Sequence, residues 1–193
     1  MSDRLPGAAI IETVTTTINP DGTVNCAAMG VEWGDDVIVI KPYASTRTLR
    51  NLEATGAAVV NITDDILLFT QAALGDPHPP TRPATRIDGA VLADACSWRE
   101  VTVEAIDAGE PRARVTTHVV DRGTGREFLG FNRACHAVLE ASIIASRARW
   151  LPAIEIRAEL ERLQVLVDKT GGPREHEAME LVRRHVHAAV GSG

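Results

Sequence analysis

The sequence predicts an α+β protein in which an antiparallel sheet comes first and helices come last. Two observations carry this. Before about residue 125, short runs of β-branched residues alternate with Gly, Pro, Asn and Asp turn clusters. After residue 131 the apolar residues recur at helical spacing instead. Hairpin-type turns join the early strands, which makes their pairing antiparallel.

The elements follow in order. Ile10 to Ile18 is dense in Ile, Thr and Val and reads as a strand. Asn19-Pro20-Asp21-Gly22 is turn chemistry, and Val24 to Val31 is the returning strand. After Trp33-Gly34-Asp35-Asp36, the apolar run Val37-Ile38-Val39-Ile40 predicts a strand buried on both faces. A helix begins near Ser45 or Thr46, either of which can cap it, and Gly56 ends it. Ala57 to Ile62 is a strand, and Thr63-Asp64-Asp65 caps a second helix reaching about Leu74. Asp76 to Pro83, with four prolines, predicts a mobile surface loop. Strands return over Cys96 to Asp107 and Arg112 to Asp121, the first with Val101, Val103 and Ala105 on its buried side. Arg122 to Gly125 reads as the turn that closes the set. Three helices follow: Asn132 to Arg149, Pro152 to about Lys169, and one from about Arg174, with Gly171-Gly172-Pro173 breaking the last two apart.

Composition narrows the class of function. The chain has 193 residues, enough for one full core or for one core and an appendage. A formal net charge of −6 argues against a general nucleic-acid binder, which neutralises phosphates with excess Lys and Arg. No apolar run is long enough to span a bilayer, and Met1 to Pro6 lacks the pattern of a secretion signal. The three cysteines, Cys26, Cys96 and Cys135, are widely spaced and form no CxxC pair. Free thiols in a reducing cytoplasm are the expectation, with neither a disulfide framework nor a zinc site.

One segment carries recognisable chemistry. Lys41-Pro42-Tyr43-Ala44-Ser45-Thr46-Arg47-Thr48 follows an apolar strand and opens a helix. A helix start offers backbone N–H groups and a partial positive charge, both suited to phosphate. Ser45, Thr46 and Thr48 add hydroxyls, and Arg47 adds a planar cationic fork. Arg50 lies one turn further on. Taken alone, the same residues also describe an ordinary capped helix, the commoner role.

Resemblance adds a specific ligand. Val24-Asn25-Cys26-Ala27-Ala28-Met29-Gly30, then Ser45-Thr46-Arg47-Thr48-x-x-Asn51-Leu52, then Gly56-x-x-Val59-Val60-Asn61-Ile62 resembles the FMN-binding split β-barrels of the flavin-reductase-like superfamily. Within it the chain is most similar to a branch of uncharacterised proteins of archaea and methylotrophic bacteria. That branch also shares Asn61-Ile62-Thr63-Asp64-Asp65, Gly130-Phe131-Asn132-Arg133-Ala134 and Lys169-Thr170-Gly171-Gly172 followed by Glu177-Ala178-Met179. The resemblance runs from about Glu12 to about Leu181.

It implies an antiparallel split β-barrel over residues 1–130. A C-terminal helical subdomain, residues 131–193, would pack on the barrel or on a dimer interface. Backbone of Asn25, Cys26, Ala27, Ala28 and Met29 would run beside the isoalloxazine ring, the small alanines letting it lie close. Ser45, Thr46, Arg47 and Thr48 would hold the phosphate. Asn51 and Asn61 would support that loop or touch the ribityl chain. Split barrels of this kind usually dimerise with FMN near the interface, so the resemblance implies a homodimer. Asn132 and Arg133, at a positive helix terminus, are candidates for the same ligand and equally for simple capping.

The remaining candidates are weaker. His185 and His187 fall on different helix faces, and Cys135-His136 are neighbours that cannot face each other as a dyad. No metal site is expected. Cys26 reads equally as a small core residue, and His118 has no assigned role. Gly123-x-Gly125 lacks the strand-to-helix context of a dinucleotide loop. The sequence therefore predicts a cytoplasmic FMN flavoprotein, an oxidoreductase of flavin-reductase type with no identified catalytic side chain. NAD(P)H or a pterin-type molecule would be its substrate, and the resemblance links it to methanopterin-dependent one-carbon metabolism. The alternative is an FMN carrier or sensor without turnover.

Overall fold

The computed structural model describes residues 5–190. Residues 1–4, part of the stretch considered for a secretion signal, lie outside it. The chain divides into two compact units, one of residues 1–63 and 78–127, the other of residues 64–77 and 128–193.

The first unit is a closed antiparallel barrel. Its strands are β1 (Ala9–Ile18), β2 (Val24–Trp33), β3 (Val37–Ile40), β4 (Ala57–Ile62), β7 (Ser97–Asp107) and β8 (Arg114–Thr124). They pair around the barrel as β1-β2-β3-β8-β7-β4. The helix α1 (Arg47–Thr55) joins β3 to β4. The core is aliphatic: Val31, Ile38, Ile40, Ala58, Val60, Val101 and Val115 meet inside, and Leu49 and Leu52 of α1 pack on them. The predicted strand Val37–Ile40 is found with its last three residues fully buried. Gly56 ends α1 at φ 65°, a left-handed conformation that a Cβ would disfavour.

Three local expectations change in this unit. The mobile loop expected over Asp76 to Pro83 ends instead in β5 (Thr81–Pro83), which pairs with β6 (Ala90–Leu92). Both strands have only three residues, too short to carry a period, and Pro83 sits at a strand end where no donor is needed. The hairpin is held to the barrel by the Asn61 side chain, which accepts from Leu92 N at 3.0 Å, and by Thr16 Oγ1, which donates to Ala90 O at 2.5 Å. Second, an irregularity between Val103 and Ala105 breaks the expected alternation and leaves Ala105 exposed. Third, β8 runs on to Thr124 rather than turning at Arg122. Trp98 lies flat on Gly123, where a Cβ would come within 2.0 Å of its ring, so that glycine serves close approach rather than a turn.

Polar groups are also buried in the barrel. Glu32 is 1% exposed and receives hydrogen bonds from Arg114 Nη1 at 3.1 Å, from Lys41 and from Leu5 N at 2.9 Å. Burial opposes its ionisation, but these donors overcome that cost and hold the carboxyl down to about 2. Glu100, fully buried, accepts from Thr85 N and Arg86 N at 2.7 and 2.6 Å and pins the turn between β5 and β6.

The second unit is helical: α2 (Ile66–Leu74), α3 (Arg133–Ala145), α4 (Ala153–Thr170) and α5 (Pro173–Val190). Helix α3 stops at Ala145, short of the expected Arg149, because residues 146–150 tighten into turns. Ile156, Leu160, Leu163 and Val167 of α4 face inward with Val138 and Ala141 of α3 and Met179 and Val182 of α5. Thr70 of α2 and Ser142 of α3 share a buried hydrogen bond at 2.9 Å. No described helix is long and apolar enough to cross a membrane.

Candidate functional site

The barrel is closed unevenly. Strand β3 has four residues and pairs with β2 only over Val31 to Trp33. The preceding part of β2, Asn25 to Gly30, is paired with β1 along one edge. Among the described residues, no strand takes its other edge. The chain leaves β3 at Ile40 and reaches the start of α1, which packs against β1, β2 and β4. An unpaired strand edge and a helix start thus belong to one structural feature.

The loop leading to that helix start is braced. Ala44 N donates to Pro111 O at 3.1 Å, and Ala113 N donates to Pro42 O at 3.0 Å. Arg112 donates to Lys41 O at 3.0 Å and stacks 4.0 Å over the Tyr43 ring. Thr46 is the N-cap: its hydroxyl donates to Tyr43 O at 2.8 Å and accepts from Leu49 N at 3.3 Å. Arg50 reaches back to Ser45 O at 2.9 Å, so it stiffens the loop it was expected to supplement with charge.

Several donors remain at this start. Among the described residues, the Ser45 hydroxyl and the Thr48 N–H have no hydrogen-bond partner, and the first turn of α1 holds no acidic residue. Ser45 and Arg47 are exposed. The turn residue Asp21 is held below the usual carboxylate range by the Thr23 hydroxyl and N–H, with a further contribution from the Arg47 charge. The first turn of α1 carries the positive end of the helix dipole and no carboxylate of its own.

Behind it lies a buried polar network. Asn25 Nδ2 donates to Thr17 Oγ1 at 3.1 Å and to Thr48 Oγ1 at 3.2 Å. Asn51 Nδ2 donates to the same Thr17 oxygen at 3.0 Å and to Asn19 Oδ1 at 2.9 Å. The structure thus brings Asn25, Thr48 and Asn51 together. Cys26 is buried, while Ala27, Ala28 and Met29 are half-buried, and Met29 O accepts from Thr13 Oγ1 at 3.0 Å.

Other candidates sit elsewhere. Asn61 is fully buried and bonded to Val14 O at 3.0 Å, to Thr16 Oγ1 at 3.3 Å and to Leu92 N, which ties β1, β4 and β6 together. Asn132 belongs to the helical unit, where it caps α3 through Ala134 N at 2.7 Å and donates to Thr170 O at 3.2 Å. Arg133 is exposed beside it. His118 pairs with Glu104 at 3.1 Å on the barrel surface. Cys135 donates to Glu175 at 3.3 Å, and its thiol is pushed up to about 12 by burial and then by that hydrogen bond and the nearby carboxylates. Among the described residues no three His, Cys, Asp or Glu side chains gather in a metal-binding group. Sequence reasoning missed Thr17, Asn19 and the Tyr43–Arg112 brace. The alternation Thr13-x-Thr15-x-Thr17, hydroxyls on one strand face, was the available signal for the first.

Comparison with known proteins places this geometry. The model of the N-terminal domain of a family of proteins of unknown function, DUF447, matches residues 11–126, and a second DUF447 model matches residues 132–184. The chain belongs to the DUF447 family. An FMN-bound DUF447 protein from Methanosarcina mazei is similar over 92% of this chain and 95% of its own, with TM-score 0.81 and 20% identity. The styrene monooxygenase flavin reductase of Pseudomonas putida is similar over 62% of this chain and 82% of its own, with TM-score 0.51 and 16% identity. A flavoredoxin from Methanosarcina acetivorans covers 67% of this chain and 76% of its own, with TM-score 0.53 and 10% identity. At these identities the likeness is one of fold, an antiparallel barrel with helices.

Proposed function

We propose that this member of the DUF447 family binds FMN in the barrel unit and passes electrons through it as an oxidoreductase of flavin-reductase type. The observation that carries the proposal is that, among the described residues, Ser45 Oγ and Thr48 N–H at the start of α1 have no hydrogen-bond partner, on the same feature as the unpaired edge of β2 and beside the exposed Arg47. Phosphate suits the first, and the polar edge of a flat ring suits backbone groups of Asn25 to Met29. Ala27 and Ala28 leave room for close approach. The FMN bound by the Methanosarcina mazei relative supports the same ligand here.

FMN would supply the electron transfer, while the chain binds and orients it. Asn25, Thr17, Thr48 and Asn51 are all neutral, so they offer no proton donor or acceptor of tuned pKa. That suits hydride transfer from NAD(P)H, and the flavin reductase neighbour supports reduction of a flavin on this fold. A pterin-type acceptor, tied to methanopterin-dependent one-carbon chemistry, rests on family resemblance. The same lack of an acid or base also favours a second reading, an FMN carrier without turnover.

A homodimer completes the proposal. The helical unit exposes Leu129 at 86%, Phe131 at 91%, Trp150 at 76% and Ile154 at 75%. Large apolar side chains in such number favour a covered surface. Asn132 and Arg133, next to Phe131, would then serve the ligand from the second copy. FMN titration and the absorption spectrum of the purified protein test the cofactor: a colourless protein that takes up no FMN sinks it. Anaerobic mixing with NADH or NADPH separates the two readings, since bleaching marks a reductase and an unchanged spectrum a carrier. Sedimentation tests the dimer.

A further inference from the structure

We infer that Thr17 is a positioning residue that locks the start of α1 to the open edge strand β2, and so sets how strongly the protein discriminates phosphorylated from unphosphorylated flavin. The inference deepens the FMN proposal and rests on it. Thr17 sits near the end of β1, opposite Asn25 in the ladder. Its hydroxyl oxygen accepts from two carboxamides carried by different elements: Asn25 of β2 at 3.1 Å and Asn51 of α1 at 3.0 Å. Asn25 passes the connection on to Thr48 in the first turn of α1 at 3.2 Å.

All four side chains are buried: Thr17 at 1% exposure, Asn25 at 6%, Thr48 at 3% and Asn51 at 1%. A surface network of this size would exchange with water and fix little. A buried one has no such substitute, so each lost acceptor leaves a donor unsatisfied, and the carboxamides must reorient to recover a partner. Thr17 is the joint through which both orientations are set. Its partners lie on the two parts of the proposed site, the strand edge for the ring and the helix start for the phosphate. Since the length of FMN is fixed, the offset between those two parts determines whether ring and phosphate contacts form together.

Thr17→Val keeps the shape of the side chain and removes the acceptor. The expected result is a fall in the ratio of FMN to riboflavin affinity of about tenfold, because a misplaced α1 loses phosphate contacts while the ring strand stays. Thr17→Ser keeps the oxygen and restores the wild-type ratio. Both ligands are titrated by fluorescence against wild type and variants, with a melting temperature for each. Should the valine variant not fold, Thr17→Cys, whose thiol is a weak acceptor of similar size, is read in its place. A merely structural Thr17 would lower the melting temperature and leave the ratio where it was, which overturns the inference. Wild-type protein without FMN affinity overturns the FMN proposal first, and this inference with it.

Discussion

Three of the four helix starts in the helical unit carry a carboxylate that the start of α1 in the barrel unit lacks. In the helical unit α2, α4 and α5 carry an acidic residue at the start, and α3 is capped by a neutral one. Asp65 caps α2 through Leu68 N at 3.1 Å and pairs with Arg174. Asn132 caps α3, and Glu175 in the first turn of α5 accepts from Gly172 N at 2.8 Å. Helix α4 carries Glu155 in its first turn. In the barrel unit, α1 is capped by Thr46, has no acid in its first turn and keeps Arg47 at its rim. A carboxylate at a helix start answers the same dipole and the same N–H groups that a ligand phosphate would. The contrast teaches that capping sequence locates a helix start, while a carboxylate in the cap or first turn marks α2, α4 and α5 as already supplied with an anion, which α1 and α3 are not.

Converting one state into the other breaks the comparison most directly. Ser45→Asp gives α1 the carboxylate that the helical unit already carries. FMN affinity should fall about a hundredfold, the scale of two like charges roughly 5 Å apart near a surface. Stability should hold or rise slightly, since the new charge faces the helix dipole. Isothermal titration and thermal melting read the two effects separately. An unchanged affinity would mean that phosphate binds elsewhere.

Arg47→Ala removes the cation and keeps the helix start neutral. A loss of about tenfold in FMN affinity is expected, with riboflavin affinity unaffected, as one charge-assisted contact disappears. Asp65→Ala is the mirror experiment in the helical unit. It should cost about 1–2 kcal/mol of stability by denaturant titration and leave FMN affinity unchanged. Asn132→Ala should cost about 1 kcal/mol through its lost cap. A simultaneous drop in FMN affinity there would place α3 at the ligand.

Solution pH gives the smallest and most graded contrast. The Glu32 carboxyl in the barrel is held at about 2, below its ordinary 4.5, so its contribution is present above the usual range and is lost as pH falls toward 2. The Cys135 thiol in the helical unit is raised from 9.0 to about 12, so its contribution is present below pH 9 and is lost as pH rises toward 12. Acid should therefore weaken the barrel and alkali the helical unit. Thermal melts across pH check this, and Glu32→Gln and Cys135→Ser should each flatten one limb.

The legible parts of this molecule are local. Val37–Ile40 read as a buried strand because four apolar β-branched residues in a row have nowhere else to go, and it forms as such. Thr46 and Gly56 bounded α1 by cap chemistry that depends on neighbours in sequence. The hairpin of β5 and β6 was illegible because three-residue strands have no period, and its anchor, Asn61, comes from a distant strand. Asn51 and Asn25 read as ligand contacts through resemblance, yet both face Thr17, which no motif named.

By itself, then, the sequence determined the α+β order, the helix starts and the segment with phosphate chemistry, because capping, turn geometry and periodicity act over a few residues. Only the tertiary structure decided that Ser45 Oγ and Thr48 N–H stay without a partner among the described residues, which strand edge stays unpaired, and that Thr17 joins the two. Those outcomes depend on contacts between residues far apart in the chain, where burial fixes the partner of each polar group and local sequence has no say.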